Sequence, residues 1–320
     1  MNKRIVMMGE CMVEMFQLVE NVYHQAFAGD VFNTAVYLKR SCEAPVDVQF
    51  FTAVGTDLIS DKLVRAVEQE KIDTRLMFRA KGVRPGLYMI NTDAYGERSF
   101  VYWRDTSAAR QVMHCFTQQG NSADVLGCDM FYFSGITLAI LSDSDRRALF
   151  HLIHQLKEQG SQIVFDPNYR PALWSSIESC RAAFTEAYQL ADIAMPGLDD
   201  HKVLYEHSTV QQIQAFLTEL DVAEIIIKDG KNGVVGSFAG QDFSAPAHQV
   251  KKVVDTTAAG DSFNGGYLAA RLADIPPQDA VKYAARLAGF VVEHTGAIVN
   301  HEHFQRFWIQ HRPSSFVSSA

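Results

Sequence analysis

Seven residues, Asp255-Thr256-Thr257-Ala258-Ala259-Gly260-Asp261, join the end of an apparent strand to the start of an apparent helix. Their small side chains leave the backbone bare, so N–H groups at the helix N-terminus can face an anion, helped by the helix dipole. Asp261 falls in the first helical turn. A carboxylate beside a phosphate cradle can accept the proton of an attacking hydroxyl, as an aspartate does in phosphoryl transfer. It can also do no more than stabilise the dipole. The helix that follows carries Gly265 and Gly266 side by side. Each costs about 1 kcal/mol against alanine, which points to close backbone approach.

Other nucleotide loops are missing: neither GxxxxGK[ST] nor GxGxxG occurs. Lys228-Asp229-Gly230-Lys231-Asn232-Gly233 follows a strongly apolar run and reads as a hairpin turn at Asn232-Gly233. His151 and His154 lie one helical turn apart, but no carboxylate completes a ligand set and HExxH is absent.

The elements that must hold these residues alternate between strand and helix. Residues 5–8, 47–54, 130–134, 162–166, 191–195 and 224–228 read as strands, and 143–158 as a helix between two of them. Gly29 and Asn33 frame a turn ahead of a helix ending near Arg40, and Leu58, Leu63, Val64 and Val67 mark another helix. Short, nearly all-apolar strands in βα units predict an α/β fold with a mostly parallel sheet covered on both faces. Residues 87–92 and 98–103, around a turn at 93–97, read as a hairpin outside that alternation, a small sheet able to act as a lid. The chain divides into a core (1–9, 34–83 and 108–310), an inserted β lid (10–33 and 84–107), and a flexible tail (311–320) after a short final helix.

The net charge of −8 over 320 residues argues against nucleic acid or anionic membrane as a partner by bulk electrostatics. Cys11, Cys42, Cys115, Cys128 and Cys180 form no CxxC pair and read as reduced thiols of a cytoplasmic protein. The apolar run after Lys3 and Arg4 meets Glu10 and Glu14 too soon for a secretory signal, and no apolar stretch approaches the roughly 20 residues of a membrane span.

Residues 255–268 resemble, at every position, the C-terminal signature of the ribokinase-like (PfkB) sugar kinases. The resemblance implies the ribokinase-like fold, with Asp261 as catalytic base and the N–H groups of Ala258, Ala259 and Gly260 as anion hole. It implies that Gly29, Asp30 and Asn33 bind the sugar, although Ala28 and Val31 replace a glycine and a proline of the family pattern. Lys228, Gly230 and Gly233 fall where the family binds ATP. Gly197 and Asp200 stand in place of an Asn-x-x-Glu motif, with Asp200 acting on Mg²⁺ through water, and Asp255 and Thr257 are implied as ligands of a monovalent cation, K⁺. Residues 10–12, 134–142, 102–105 and 168–174 are similar to the 2-keto-3-deoxygluconate kinases in particular. That likeness puts Tyr88, Tyr102, Arg104, Asn168 and Arg170 at a sugar acid, whereas isolated arginines are mostly surface charges.

The expectation is ATP-dependent phosphorylation of the terminal hydroxyl of 2-keto-3-deoxygluconate. A kinase for fructose or ribose is the nearest alternative. A non-catalytic sugar sensor and a dehydrogenase stand further off, the latter lacking GxGxxG. The family likeness also implies a homodimer, or a higher assembly of such pairs, through the lid sheet.

Overall fold

The computed structural model describes residues 2–19, 21–92 and 98–313. The first half runs β1 (Lys3–Met8), β2 (Met12–Val19), β3 (Val22–Ala28), α1 (Asp30–Ser41), β4 (Val46–Val54), α2 (Leu58–Gln69), β5 (Met77–Arg79), β6 (Leu87–Thr92), β7 (Arg98–Trp103), α3 (Val112–Gln119), α4 (Ser122–Val125), β8 (Met130–Ser134), α5 (Gly135–Ile140) and α6 (Asp143–Glu158). The second half runs β9 (Gln162–Asp166), α7 (Ile177–Leu190), β10 (Ile193–Ala194), α8 (Leu198–Tyr205), α9 (Val210–Glu219), β11 (Glu224–Lys228), β12 (Val234–Phe238), β13 (Gln241–Ala245), α10 (Ala259–Leu272), α11 (Pro277–Val292) and α12 (His301–His311).

A nine-stranded sheet has the order β13-β12-β11-β10-β9-β8-β1-β4-β5. It is parallel from β5 to β11, and at the other edge the β11–β12 and β12–β13 pairings are antiparallel, so that β12 alone is reversed. The strands are apolar on both faces because both are covered. In β1, Ile5 and Met7 enter a core shared with α1, α10 and α11, while Val6 and Met8 enter another shared with α3, α6 and α7.

Adjacent glycines in α10 carry the first of these cores. A Cβ on Gly265 would lie 2.7 Å from Leu38 N and Thr34 O of α1, and one on Gly266 would lie 2.9 Å from Leu287 Cδ2 of α11. Three helices thus close to backbone contact, and α1 is held against the start of α10.

The second sheet has the order β3-β2-β6-β7, with β2 parallel to β6 and the outer pairs antiparallel. Leu87 opposes Trp103 and Tyr88 opposes Tyr102 in the expected hairpin, whose turn at 93–97 lies outside the described residues. The mixed pattern of residues 11–27 conceals β2 and β3. In β2, Met12, Val13 and Glu14 are buried while Leu18 and Val19 are exposed, so no single alternation runs through the strand.

Three local expectations change. Gly29 caps α1 and Asn33 sits inside its first turn, so no turn separates them. The strand expected over 191–195 contracts to Ile193–Ala194, since only these residues pair with β9 and β11. The two-residue turn at Asn232-Gly233 is replaced by a longer loop, because Lys228 pairs with Val234 and a tight helical turn, Gly230–Asn232, fills the gap. Gly233 closes that loop at φ 104°, where a Cβ would meet Ala245 O at 2.2 Å.

Candidate active site

The loop before α10 turns through Ala258 in the left-handed region, φ 60° and ψ 15°. Only glycine adopts that conformation freely, so strain is stored at the helix entrance. Ala259 N–H donates within the loop to Thr256 O at 3.2 Å, which revises its expected place as a free anion donor. Gly260 faces open space: the nearest atom to a Cβ there would be Lys228 Nζ at 3.9 Å. The first N–H groups of a helix have no partner within it, so a bare Gly260 at the N-terminus of α10 suits an incoming phosphoryl oxygen.

Asp261 is joined to α1. Its Oδ2 accepts from Asn33 Nδ2 at 2.8 Å, and Asn33 Oδ1 accepts from Gly29 N–H at 3.3 Å. Burial, the charge of Asp30 and the charge of Asp166 push the Asp261 carboxyl up, while the Asn33 hydrogen bond and Lys228 pull it down, leaving it at about 7. Asp30 Oδ2 accepts from Asn168 Nδ2 at 3.0 Å. Asn168 stands at φ 32°, a left-handed position that asparagine tolerates better than most side chains, and this turn swings its amide across to Asp30.

Two polar residues that the sequence reading left out organise the floor. Asp166, at the carboxyl end of β9, accepts from Lys228 Nζ at 3.1 Å and Asn264 Nδ2 at 2.6 Å. Asn264 Oδ1 accepts from Lys228 Nζ at 3.2 Å, and its Nδ2 also donates to Tyr132 Oη at 3.1 Å. Signals for both were present: strand carboxyl ends are where parallel sheets bind ligands, and Asn264 is an amide beside the glycine pair of a buried helix.

Arg170 is exposed, and its Nη1 donates to Tyr169 O at 2.8 Å. Asp200 Oδ2 accepts from Tyr169 N–H at 3.1 Å, and burial holds its carboxyl above the ordinary range despite that hydrogen bond. On the small-sheet side Tyr88 Oη donates to Glu14, and Arg104 pairs with Glu10. The Arg104 guanidinium also lies 5.8 Å from the Tyr102 ring centre.

These walls enclose a cavity of about 730 Å³. Asp261, Ala258, Ala259 and Gly260 border it, as do Gly29, Asp30, Asn33, Tyr88, Tyr102, Arg104, Asn168, Arg170, Lys228, Asp200 and Thr257. Gly230, Gly233 and Asp255 do not. Asp255 is buried, with Oδ1 accepting from Thr257 N–H at 2.9 Å and Oδ2 from Gly296 N–H at 2.7 Å, so it braces the loop from behind. Among the described residues no group of three or more His, Cys, Asp or Glu forms a metal cluster, and His151 and His154 are exposed.

Crevice, helix terminus and buried carboxylate meet in one cavity. Residues 2–303 match the pfkB family carbohydrate kinases, and the chain belongs to that family. It is 38% identical over 306 residues to the 2-dehydro-3-deoxygluconokinase of Escherichia coli (strain K12), covering 94% of this chain and 99% of that one. The enzyme of the same name from Dickeya dadantii is 38% identical over 301 residues, covering 93% and 97%. The fold is that of a solved 2-dehydro-3-deoxygluconokinase from Thermotoga maritima, with TM-score 0.84 at 19% identity over 97% of this chain and 99% of that one. It is likewise that of a ribokinase II from E. coli solved with ATP and Mg²⁺, with TM-score 0.83 at 23% identity over the same shares.

Proposed function

We propose that this carbohydrate kinase transfers the terminal phosphoryl group of ATP to the terminal hydroxyl of 2-keto-3-deoxygluconate, giving the 6-phospho product and ADP. The observation that carries the reading is Asp261, poised at about 7 beside the bare N-terminus of α10. A base at that value is about half ionised at neutral pH and still holds a proton well once it takes one. As the hydroxyl attacks, its proton passes to Asp261, whose other role is to stay fixed by Asn33 Nδ2. Gly260 N–H and Lys228 Nζ, held between Asp166 and Asn264, meet the charge gathering on the transferred phosphoryl.

Mg²⁺ bound with ATP would neutralise phosphate charge, and Asp200, which borders the cavity, is the carboxylate we assign to act on it through water. Asp255 and Thr257 are the residues for K⁺, but the Asp255 carboxylate is engaged by two N–H groups, so no step is assigned to that ion. The exposed Arg170 suits the acid group of the acceptor, since a guanidinium matches the two oxygens of a carboxylate. Support for the acceptor comes also from the relatives of that name, aligned over nearly the full length of both chains. We read segments 10–33 and 84–107 as a lid over the core of 1–9, 34–83 and 108–310, closing on the acceptor.

An ADP-release assay with 2-keto-3-deoxygluconate, gluconate, fructose and ribose tests the reading. Turnover greatest with 2-keto-3-deoxygluconate is expected. Preference for fructose or ribose would move the acceptor to a neutral sugar, and no turnover with any of them would point to a sensor.

A further inference from the structure

Asn264 is fully buried in α10, one turn after Asp261, and its amide is shared between a cation and an anion. Its Oδ1 accepts from Lys228 Nζ at 3.2 Å, while its Nδ2 donates to Asp166 Oδ2 at 2.6 Å and to Tyr132 Oη at 3.1 Å. An amide carries an acceptor and a donor side by side, and these partners permit one orientation of it. Turned over, it would set its oxygen against the Asp166 carboxylate and its NH₂ against the Lys228 ammonium.

Lys228 ends β11, and a lysine side chain is a point charge on a flexible stem. Asp166 holds that charge at 3.1 Å, but a single ion pair fixes a distance rather than a direction. The second acceptor comes from the helix that also carries Gly260 and Asp261, so the ammonium is located relative to the helix terminus itself. Asp166 and Asn264 engage two of its three N–H groups, which leaves one for a ligand. A Cβ on Gly260 would lie 3.9 Å from Nζ, so the ammonium stands beside the bare N-terminus of α10.

We propose that Asn264 is a positioning residue: its amide, oriented by Asp166 and Tyr132, fixes the Lys228 ammonium beside Gly260 and Asp261, so that one helix places both the base and the cation facing the transferred phosphoryl. The inference rests on the kinase reading above and adds to it a residue that does not border the cavity. The groups acting on Asp261 are Asp30 and Asn33 from α1, Asp166 from β9 and Lys228 from β11, while burial keeps the nearby hydroxyls of Tyr37 and Tyr132 protonated. Of these Lys228 alone is a cation, so displacing it lets the Asp261 carboxyl rise. Lys228 acts in the same sense on Asp200, which also borders the cavity.

A double-mutant cycle tests the proposal. Asn264→Leu keeps the side-chain volume and removes the amide, and Lys228→Met removes the ammonium. Both variants and their combination are compared with wild type in kcat/KM for ATP and, by calorimetry, in the dissociation constant of Mg²⁺–ATP. Lys228→Met should weaken both quantities by about tenfold or more, the scale of one hydrogen bond to a charged group, and Asn264→Leu should move them the same way. Combining the two should cost no more than Lys228→Met alone, because an amide without its lysine has nothing to position. In Asn264→Leu, as in Lys228→Met, the rising limb of the pH profile of kcat/KM should move to higher pH, which a loosened core would not bring about. Losses that multiply in the double variant, an unmoved pH limb in folded Asn264→Leu, or an Mg²⁺–ATP constant that neither variant changes would overturn the proposal and leave Asn264 as a packing residue. Asn264→Ser, too short to bridge both partners, carries the cycle if Asn264→Leu does not fold. Absence of wild-type turnover with every acceptor would sink the kinase reading instead, and the calorimetric cycle would still decide the role of Asn264.

Discussion

Asp261 keeps its proton in the folded chain up to a pH of about 7, against an ordinary value of 3.8, because burial and the neighbouring Asp30 charge disfavour its ionised form. Activity should follow the ionised form, rising with pH through about 7 in kcat/KM. Stability should do the reverse. Between about pH 4 and 7 the folded state binds a proton that the unfolded chain has released, so stability is lost as pH rises through that window. Asp261→Asn removes both effects at once: kcat should drop by about 10²-fold or more, while the melting temperature rises relative to wild type more at pH 8 than at pH 4. A variant as active as wild type, or with no such pH-dependent gain, would take the base role from Asp261. Arg170→Ala should cost roughly 1.5–3 kcal/mol in kcat/KM for the sugar acid, the range for a hydrogen bond to a charged group. Neutral sugars should lose much less, and equal losses would mean that Arg170 does not read the carboxylate.

At the scale of elements, α10 works because it is pressed between α1 and α11. Gly265→Ala would gain about 1 kcal/mol of helix propensity, but its methyl would strike the backbone of α1 at Leu38 N and Thr34 O. The net effect should be a loss of about 1–3 kcal/mol, the usual range for overpacking, seen as a lower melting temperature. Since α1 also carries Asn33, which holds Asp261, kcat should decline in the same variant. A variant as stable and active as wild type would show that the two helices can part without disturbing the base.

For the whole molecule, the small sheet presents Leu18, Val19, Val22, Val101 and Trp103 to solvent, with exposures from 43% for Val101 to 63% for Val19. Apolar side chains gathered on one small element mark an interaction surface. We expect two copies of the chain to pair through it, so that sedimentation at micromolar concentration gives a dimer or a multiple of one. Trp103→Glu should shift that equilibrium toward monomer. A wild-type monomer under those conditions would remove the pairing. Among the described residues no helix is long and apolar enough to cross a membrane.

Local chemistry was legible in the sequence wherever it was continuous along the chain. The strands of the large sheet announce themselves because burial on both faces makes them uniformly apolar, and the loop before Asp261 does so because small residues, a glycine and an acid stand together. What the sequence could not show depends on residues far apart in the chain. Asp166, Lys228 and Asn264 meet only because β9 and β11 end, and α10 begins, at the same edge of the sheet, and Arg104 pairs with a glutamate ninety-four positions away. Ala259 carries the expected residue type for an anion hole, yet its N–H closes the loop instead, a matter of backbone angle that residue identity does not encode. Spacing along a chain thus assigned the reaction class, while partner choice, which sets each side chain's charge and hydrogen-bonding capacity, was decided by the packing of elements in three dimensions.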